Sequence, residues 1–362
     1  MKKDFLVVIT DKLAGSRSAF NKNNLYCFES VYNILKHNIT DKFKVHESRI
    51  FFGEENLKNE EHKPVLYIMP ECFDITKKTF EYITSGGNAV FYTKKNKKAF
   101  ACFDTFENLD TSKYFSEYTA DYLPVQNLRE LRDKNIKAQK KIISKLEDSG
   151  VQFASLDGVG VSPLAKISPG VIIYPGTIIR GASSIGANCI LGPNTLIEDS
   201  QIGGNCTLNS TQIYSSVLEN NIKTGPFCHI RPGSVIKNGV KLGNFVEIKN
   251  SVIGENTAAS HFGYIGDSDV GARVNFGCGA ITANYDGVNK QRCDIKDGAF
   301  IGSNSNLVAP ITIGEKAYVA AGSTLTRDVP GGALAISRNR EEAIKEDWVN
   351  KRNRAEKMKR GE

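Results

Sequence analysis

Aliphatic residues return at every sixth position along much of the chain. Ile167, Ile173, Ile179, Ile185, Leu191 and Ile197 open the series. Through Ile202, Leu208, Ile213 and Leu218 the step shortens to five, except for the six between Ile202 and Leu208. It returns to six through Thr224, Ile230, Ile236, Leu242 and Ile248, and a less regular stretch follows. The period resumes at Ile295, Ile301, Leu307, Ile313, Val319 and Leu325. Gly or Ala often follows the aliphatic residue, and a second small or β-branched residue often sits four places on. A period of six is neither helical nor the alternation of an ordinary strand. It predicts a triangular solenoid, a parallel β-helix with one short strand and one corner per hexapeptide. The aliphatic side chain points inward and stacks on its counterparts in the coils above and below. Glycine and asparagine turn the corners, where positive φ is needed. A β-sandwich with Gly-rich turns would alternate with period two and lack the fixed six.

Upstream, VQNLRELRDKNIKAQKKIISKLEDSGV predicts one helix. Leu128, Leu131, Ile136, Ile142, Ile143 and Leu146 form its apolar stripe, and Gly150 stops it. The first ~120 residues follow a different pattern, and they are few for a full enzymatic domain. DFLVVIT, PVLYIMP and NAVFYT suit buried strands, while CFESVYNILKHNI and DITKKTFEYIT suit helices between them. That alternation predicts a small parallel α/β sheet. The expected organisation is an α/β domain over 1–122, a linker helix over 123–150, the β-helix over 151–340 and a charged tail over 341–362. The tail alternates its charges and reads as a solvated helix.

Composition narrows the picture. The chain has 362 residues, 40% of them hydrophobic, enough to bury a sizeable core. A net charge of +7, from 47 basic and 40 acidic residues, suits anionic small molecules. No dense Lys/Arg stripe with interleaved aromatics points to nucleic acid. The 8 cysteines include no C-x-x-C pair and are expected to be reduced and packed as small hydrophobes. MKKDFLVVITDK lacks a cleavage site and reads as a strand rather than a signal peptide. No run approaches the ~20 apolar residues of a membrane span. The expected location is therefore the cytoplasm.

The stretch from GNFVEIK to ALAISR strongly resembles one family, the acetyltransferase half of bacterial bifunctional UDP-N-acetylglucosamine synthesis enzymes. The markers are GPFCHIRPG, GNFVEIK, HFGYIGD, ITANYDGVNK, IGSNSNLVAP and ALAISR, in order and at family spacing. The resemblance covers the linker helix and everything after it. It implies a left-handed parallel β-helix that acetylates glucosamine-1-phosphate from acetyl-CoA. At the N-terminus the pattern departs from the family. ITDKLAGSRSAFNK stands where the family has a strand and an L-A-A-G-x-G-T-R-M loop, so the core that cradles nucleotide phosphates is missing. VLYIMPECFDI carries Pro70-Glu71 where the family has a Gly-Asp metal-ligand pair. The resemblance thus implies a shortened, degenerate nucleotidyltransferase-like domain, with Mg²⁺ required only if uridylyl transfer is retained.

The family's chemistry assigns roles residue by residue. Acetyl transfer needs a base for the amine, and His261 matches the family's catalytic histidine. An imidazole with a pKa of about 6.5 can take that proton near neutrality. A single histidine is ordinarily structural, but five family markers surround this one. Arg231 and Lys249 match sugar phosphate ligands, and Tyr264 and Asn275 match residues that hydrogen-bond the sugar. ANYDGVNK interrupts the hexapeptides between Ile281 and Ile295, and irregular loops on a rigid scaffold are where sites are built. Its Asn284 and Tyr285 match residues near the thioester that help stabilise the oxyanion, and Lys290 can reach an anionic ligand. Cys278, Ser303, Ala321 and Arg338 match CoA-binding positions. In the family the loop reaches a neighbouring subunit, which implies a homotrimer. Cys278 replaces a family alanine, and Phe262-Gly263 replaces the usual Leu-Ser or Leu-Thr. No zinc is expected, because the solenoid offers only His229 and His261. The other readings are a complete bifunctional enzyme, an acetyltransferase for another amino sugar, and a non-catalytic spacer.

Overall fold

The computed structural model describes residues 127–338 throughout. Before them it describes short backbone segments within residues 6–105, and after them Asn350 and Arg354. The chain divides into two compact units, Met1–Ser216 and Val217–Glu362.

In the first unit, Ile50–Phe52, Leu6–Ile9 and Pro64–Ile68 pair in parallel, in that order across the sheet. Ala101–Thr105 adds an antiparallel edge to Pro64–Ile68. The parallel pairing of the DFLVVIT and PVLYIMP strands matches expectation, and the antiparallel edge was not foreseen. Lys12–Leu13 pairs antiparallel with Ser16–Arg17, so ITDKLAGSRS doubles back on itself. Glu29–Ser30 is a short strand paired with Leu25–Tyr26 inside a segment expected to be helical. NAVFYT, DITKKTFEYIT and Pro70-Glu71 lie outside the described residues.

The linker is helix α1, Leu128–Asp148. Asn127 caps it by accepting from Glu130 N at 3.0 Å, while its amide donates to Glu130 Oε1 at 3.1 Å. Leu131 and Ile143 are buried, but Leu128 and Ile136 of the expected stripe are exposed. Gln139 fastens the helix to the first coil, donating to Val161 O at 2.7 Å and accepting from Val161 N at 3.0 Å. These bonds satisfy both backbone groups of a strand at the solenoid's beginning, where no earlier coil pairs with it. The rest of the unit is coiled into three parallel ladders, with Ile173, Ile179, Leu191, Ile197, Leu208 and Ile213 fully buried.

The second unit continues the β-helical pattern in three parallel ladders. The Tyr264 ladder runs His229–Ile230, Val246–Lys249, Gly263–Gly266, Ala280–Ala283, Asn306–Val308 and Thr324–Leu325. The Ser268 ladder runs from Val217–Leu218 through Ser268–Val270, and the Asn275 ladder runs from Lys223–Thr224 to Leu334–Ala335. The coil repeat continues through the stretch that looked irregular, with steps of six and two of five, until the 283–292 loop interrupts it. Ile253, Ala259, Ile265, Val270, Phe276 and Thr282 all point inward and are buried. Ala259, Phe276 and Thr282 disguised it. Thr282, not Ile281, takes the inward place, and its hydroxyl accepts from Gly266 N at 2.8 Å.

Four of the described cysteine side chains, Cys189, Cys206, Cys228 and Cys293, are buried thiols, as expected; Cys278 is exposed. Among the described residues no group of His, Cys, Asp or Glu is arranged to hold a metal ion, and no helix is long and apolar enough to cross a membrane. Asn350 and Arg354, in the C-terminal tail, are helical and exposed.

Candidate active site

Register alone aligns four of the expected site residues. In the Asn275 ladder Ala259 pairs with Phe276, Phe276 with Ile301 and Ile301 with Val319. Two places beyond each lie His261, Cys278, Ser303 and Ala321. They therefore occupy equivalent positions of one corner in four successive coils, and all four are exposed. Adjacent strands lie ~4.8 Å apart, so the column is ~14 Å long. Glycine lets the coils close up beneath it. A Cβ on Gly277 would stand 2.5 Å from Ser303 N. Arg338 folds back on this corner, its Nη1 donating to Ala321 O at 3.0 Å. His261 heads the column, and among the described residues its ring makes no hydrogen bond or ion pair.

The outer face of the Tyr264 ladder begins at the same corner. His229, Glu247 and Tyr264 stack in register there, and Arg231 and Lys249 occupy the next outward position in successive coils. Arg231 Nη1 meets Glu247 Oε1 at 2.9 Å with both side chains partly exposed. Lys249 is more enclosed, its side chain 17% exposed, and its Nζ meets Asp267 Oδ2 at 3.1 Å. The Tyr264 ring lies over Gly266, where a Cβ would stand 2.3 Å from its hydroxyl, so glycine is needed to seat the ring.

Asp267 gathers this face. Its carboxylate, 6% exposed, accepts from Lys249 Nζ, from Asn250 Nδ2 at 2.6 Å and from Asn284 Nδ2. An ionised carboxylate can only accept, so the amide nitrogen of Asn284 must face it. The other hydrogen of that nitrogen faces the Tyr264 hydroxyl at 3.5 Å, a long contact. With its amide nitrogen turned to Asp267, Asn284 keeps its carbonyl Oδ1 as an acceptor. Burial opposes ionisation of Asp267, but the bonds from Asn250, Lys249 and Asn284 outweigh it and lower its pKa. Burial likewise opposes the charge on Lys249, but the bond to Asp267, the contact with Lys290 and the charge of Asp267 together outweigh it and raise that pKa. Lys290 is exposed, and the nearby Lys249 ammonium lowers its pKa.

The interrupting loop is an ordered hairpin. Tyr285 and Lys290 form an antiparallel bridge, and Gln291 N donates to Asn284 O at 2.8 Å across its root. Asp286 Oδ1 accepts from Val288 N and Asn289 N at 2.8 and 2.6 Å. Tyr285 and Val288 project, 60% and 83% exposed. The structure thus brings together Arg231, Lys249, Tyr264, Asn284 and Lys290 on one face, and His261, Cys278, Ser303, Ala321 and Arg338 along one corner. Asn275 stands apart, exposed on the outer face of its own ladder, paired in register with Ala258 and Phe300. Sequence reasoning passed over Asp267, Glu247 and Asn250. The available signal was an acidic corner residue three places after Tyr264, one coil from Lys249-Asn250.

Three parallel ladders with buried aliphatic columns define a hexapeptide-repeat β-helix. The family model described as GlmU-like, C-terminal hexapeptide matches residues 191–277. The bifunctional protein GlmU of Bacillus velezensis is 52% identical over 211 residues, 58% of this chain and 46% of that protein. That of Halalkalibacterium halodurans is 48% identical over 204 residues, 56% of this chain and 45% of its own length. That of Caldicellulosiruptor saccharolyticus is 41% identical over 308 residues, 83% of this chain and 65% of its own length. The β-helix is therefore similar in sequence to the GlmU-like, C-terminal hexapeptide family over residues 191–277, and the chain resembles bifunctional GlmU proteins over more than half of its length. The chain spans about half the length of most of the curated relatives it matches.

Proposed function

We infer that the protein is an N-acetyltransferase that moves acetyl from acetyl-CoA to glucosamine-1-phosphate, giving N-acetylglucosamine-1-phosphate. The observation that carries this reading is the alignment of His261, Cys278, Ser303 and Ala321 in one exposed corner column beside a cationic face. The column offers a line of small residues for the extended arm of CoA, with Arg338 for its phosphates. Arg231, Lys249 and Lys290 supply positive charge for the sugar phosphate, and Tyr264 and Asn275 supply hydrogen bonds to the sugar.

In this reading His261 takes a proton from the substrate ammonium. The free amine then attacks the thioester carbonyl, the tetrahedral intermediate collapses with cleavage of the C–S bond, and the proton lost from the acylated nitrogen passes to sulfur, so that CoA leaves as the thiol. Asn284 Oδ1 accepts from the amine and orients its lone pair, while Tyr285 packs near the thioester. Asn275 and the exposed tip of the 285–290 hairpin are completed by a neighbouring copy, so the working form is a homotrimer.

Residues 1–122 are, in this account, a shortened nucleotidyltransferase-like domain that does not transfer uridylyl groups. The missing glycine-rich core and the doubled-back Lys12–Arg17 segment support that. A bifunctional enzyme is the second reading. The Caldicellulosiruptor alignment favours it, because 83% of the chain cannot fit within residues 128–362 and so includes N-terminal residues. The test is CoA thiol release with a panel of amino sugars and their 1-phosphates, followed by UTP and Mg²⁺ with detection of pyrophosphate. Release dependent on glucosamine-1-phosphate without pyrophosphate supports the first reading. Release only with another amino sugar, or pyrophosphate formed at a comparable rate, replaces it.

A further inference from the structure

Corner carboxylates and amides elsewhere in this β-helix serve the backbone. Asp199 Oδ1 accepts from Ala182 N at 3.0 Å, Asp297 Oδ1 from Ala272 N at 2.9 Å, and Asn238 Oδ1 from Asn220 N at 3.0 Å. Each ties its corner to the neighbouring coil through a main-chain N–H, and that is the ordinary structural use of such a residue. Asp267 shares the left-handed conformation of Asp199, with φ of 46° against 45°. Its carboxylate nevertheless meets only side chains, those of Asn250, Lys249 and Asn284.

The three partners are not equivalent. Asn250, Asp267 and Asn284 occupy one corner position in three successive coils, as the Ile248–Ile265 register and its continuation to Thr282 require. Lys249 belongs to the cationic face. Asn284 is the root of the loop that carries Tyr285 and Lys290, closed by Gln291 N. A single enclosed carboxylate therefore touches both the cation assigned to the sugar phosphate and the amide assigned to the reacting amine. Because it can only accept, it also decides which end of the Asn284 amide faces the substrate. With a neutral amide at this position, Asn284 would be free to turn over and present its nitrogen.

We propose that Asp267 is a positioning residue that holds Lys249 and fixes the flip state of Asn284, so coupling phosphate binding to orientation of the attacking amine. The inference rests on the acetyltransferase reading. Asp267 touches no reacting atom; it acts through its two partners, as residues supporting a site commonly do.

The test is Asp267→Asn in the full chain, measured with glucosamine-1-phosphate and acetyl-CoA. Loss of the Lys249 anchor raises KM for the sugar phosphate, and release of Asn284 lowers kcat. Together they cost on the order of 10- to 100-fold in kcat/KM, with KM for acetyl-CoA unchanged. Asn284→Ala and the double variant complete a cycle. If Asp267 works through Asn284, the double variant has the kcat of Asn284→Ala alone. A corner role would instead lower the melting temperature and leave kcat and KM of the folded fraction intact. That result, or strictly additive losses in kcat, overturns the proposal. Where Asp267→Asn fails to fold, Asn284→Asp carries the test. It sets two carboxylates against each other and is expected to lose kcat more heavily than Asn284→Ala; an equal or smaller loss counts against the proposal. A wild-type protein that turns over no glucosamine-1-phosphate sinks the functional reading, and the inference with it, before any variant is compared.

Discussion

His261 and Asp267 divide the residue-scale chemistry between an exposed group and an enclosed one. Replacing His261 by Ala removes the proposed base from a corner where it supports no buried packing. Turnover is expected to fall ~10²–10⁴-fold, while acetyl-CoA still binds through the Ser303–Arg338 end of the column. Calorimetric titration with acetyl-CoA together with steady-state rates checks both halves, and a variant with near-normal turnover removes His261 from the mechanism. Asp267 makes a prediction in pH. Its folded-state pKa is lowered, so its contribution to stability is complete above the unfolded value of about 3.9 and is lost as pH falls through the depressed value. Melting temperature in the wild type should therefore decline more steeply below about pH 4 than in Asp267→Asn. Parallel declines would show that the carboxylate is not held as described. The corner column that holds His261, Cys278, Ser303 and Ala321 could be anticipated only through family markers, and His261 as base is a proposal built on them. Asp267 was not anticipated, because its importance lies in which side chains a three-coil register brings to it.

At the scale of elements, the repeat was legible in unbroken runs of mostly aliphatic inward residues, Thr224 included. It was lost between Ile248 and Thr282, where Ala259, Phe276 and Thr282 stand among aliphatic residues and two steps shorten to five. Small buried hydroxyls form a second register. Ser251 accepts from Ser268 N at 2.9 Å and Thr257 from Val274 N at 3.0 Å, each reaching from one coil to the next. A hydroxyl of this kind satisfies a backbone donor that the tight corner leaves without a strand partner. In sequence it reads only as a polar interruption. The helix stripe was overread for a related reason. Periodicity marks Leu128 and Ile136 as apolar, but only Leu131 and Ile143 are buried. The column itself is cooperative, since each inward side chain packs on two others. Ile301, which is fully buried, should cost about 2–5 kcal/mol on truncation to Ala, with the loss read from urea unfolding. A cost below about 1 kcal/mol would mean that the coils stack on their backbone ladders more than on their core.

For the whole molecule, the sequence pattern separated an N-terminal α/β region from a β-helix, and the pairing of Leu6–Ile9 with Pro64–Ile68 agrees with that. The proposed homotrimer rests on family resemblance. In one chain Asn275 lies on the outer face of a different ladder, and Val288 at the hairpin tip is 83% exposed. A homotrimer accounts for both, and light scattering at assay concentrations should give three times the chain mass. A fully active monomer would contradict it. The central claim concerns the product, and product analysis tests it most directly. Purified full-length protein incubated with acetyl-CoA and glucosamine-1-phosphate, without any nucleotide, is examined by mass spectrometry. The account predicts N-acetylglucosamine-1-phosphate in amounts equal to the free CoA released, and none when His261 is replaced by Ala and the incubation is short. CoA released without acetylated sugar, or sugar left unacetylated by an intact trimer, would contradict it.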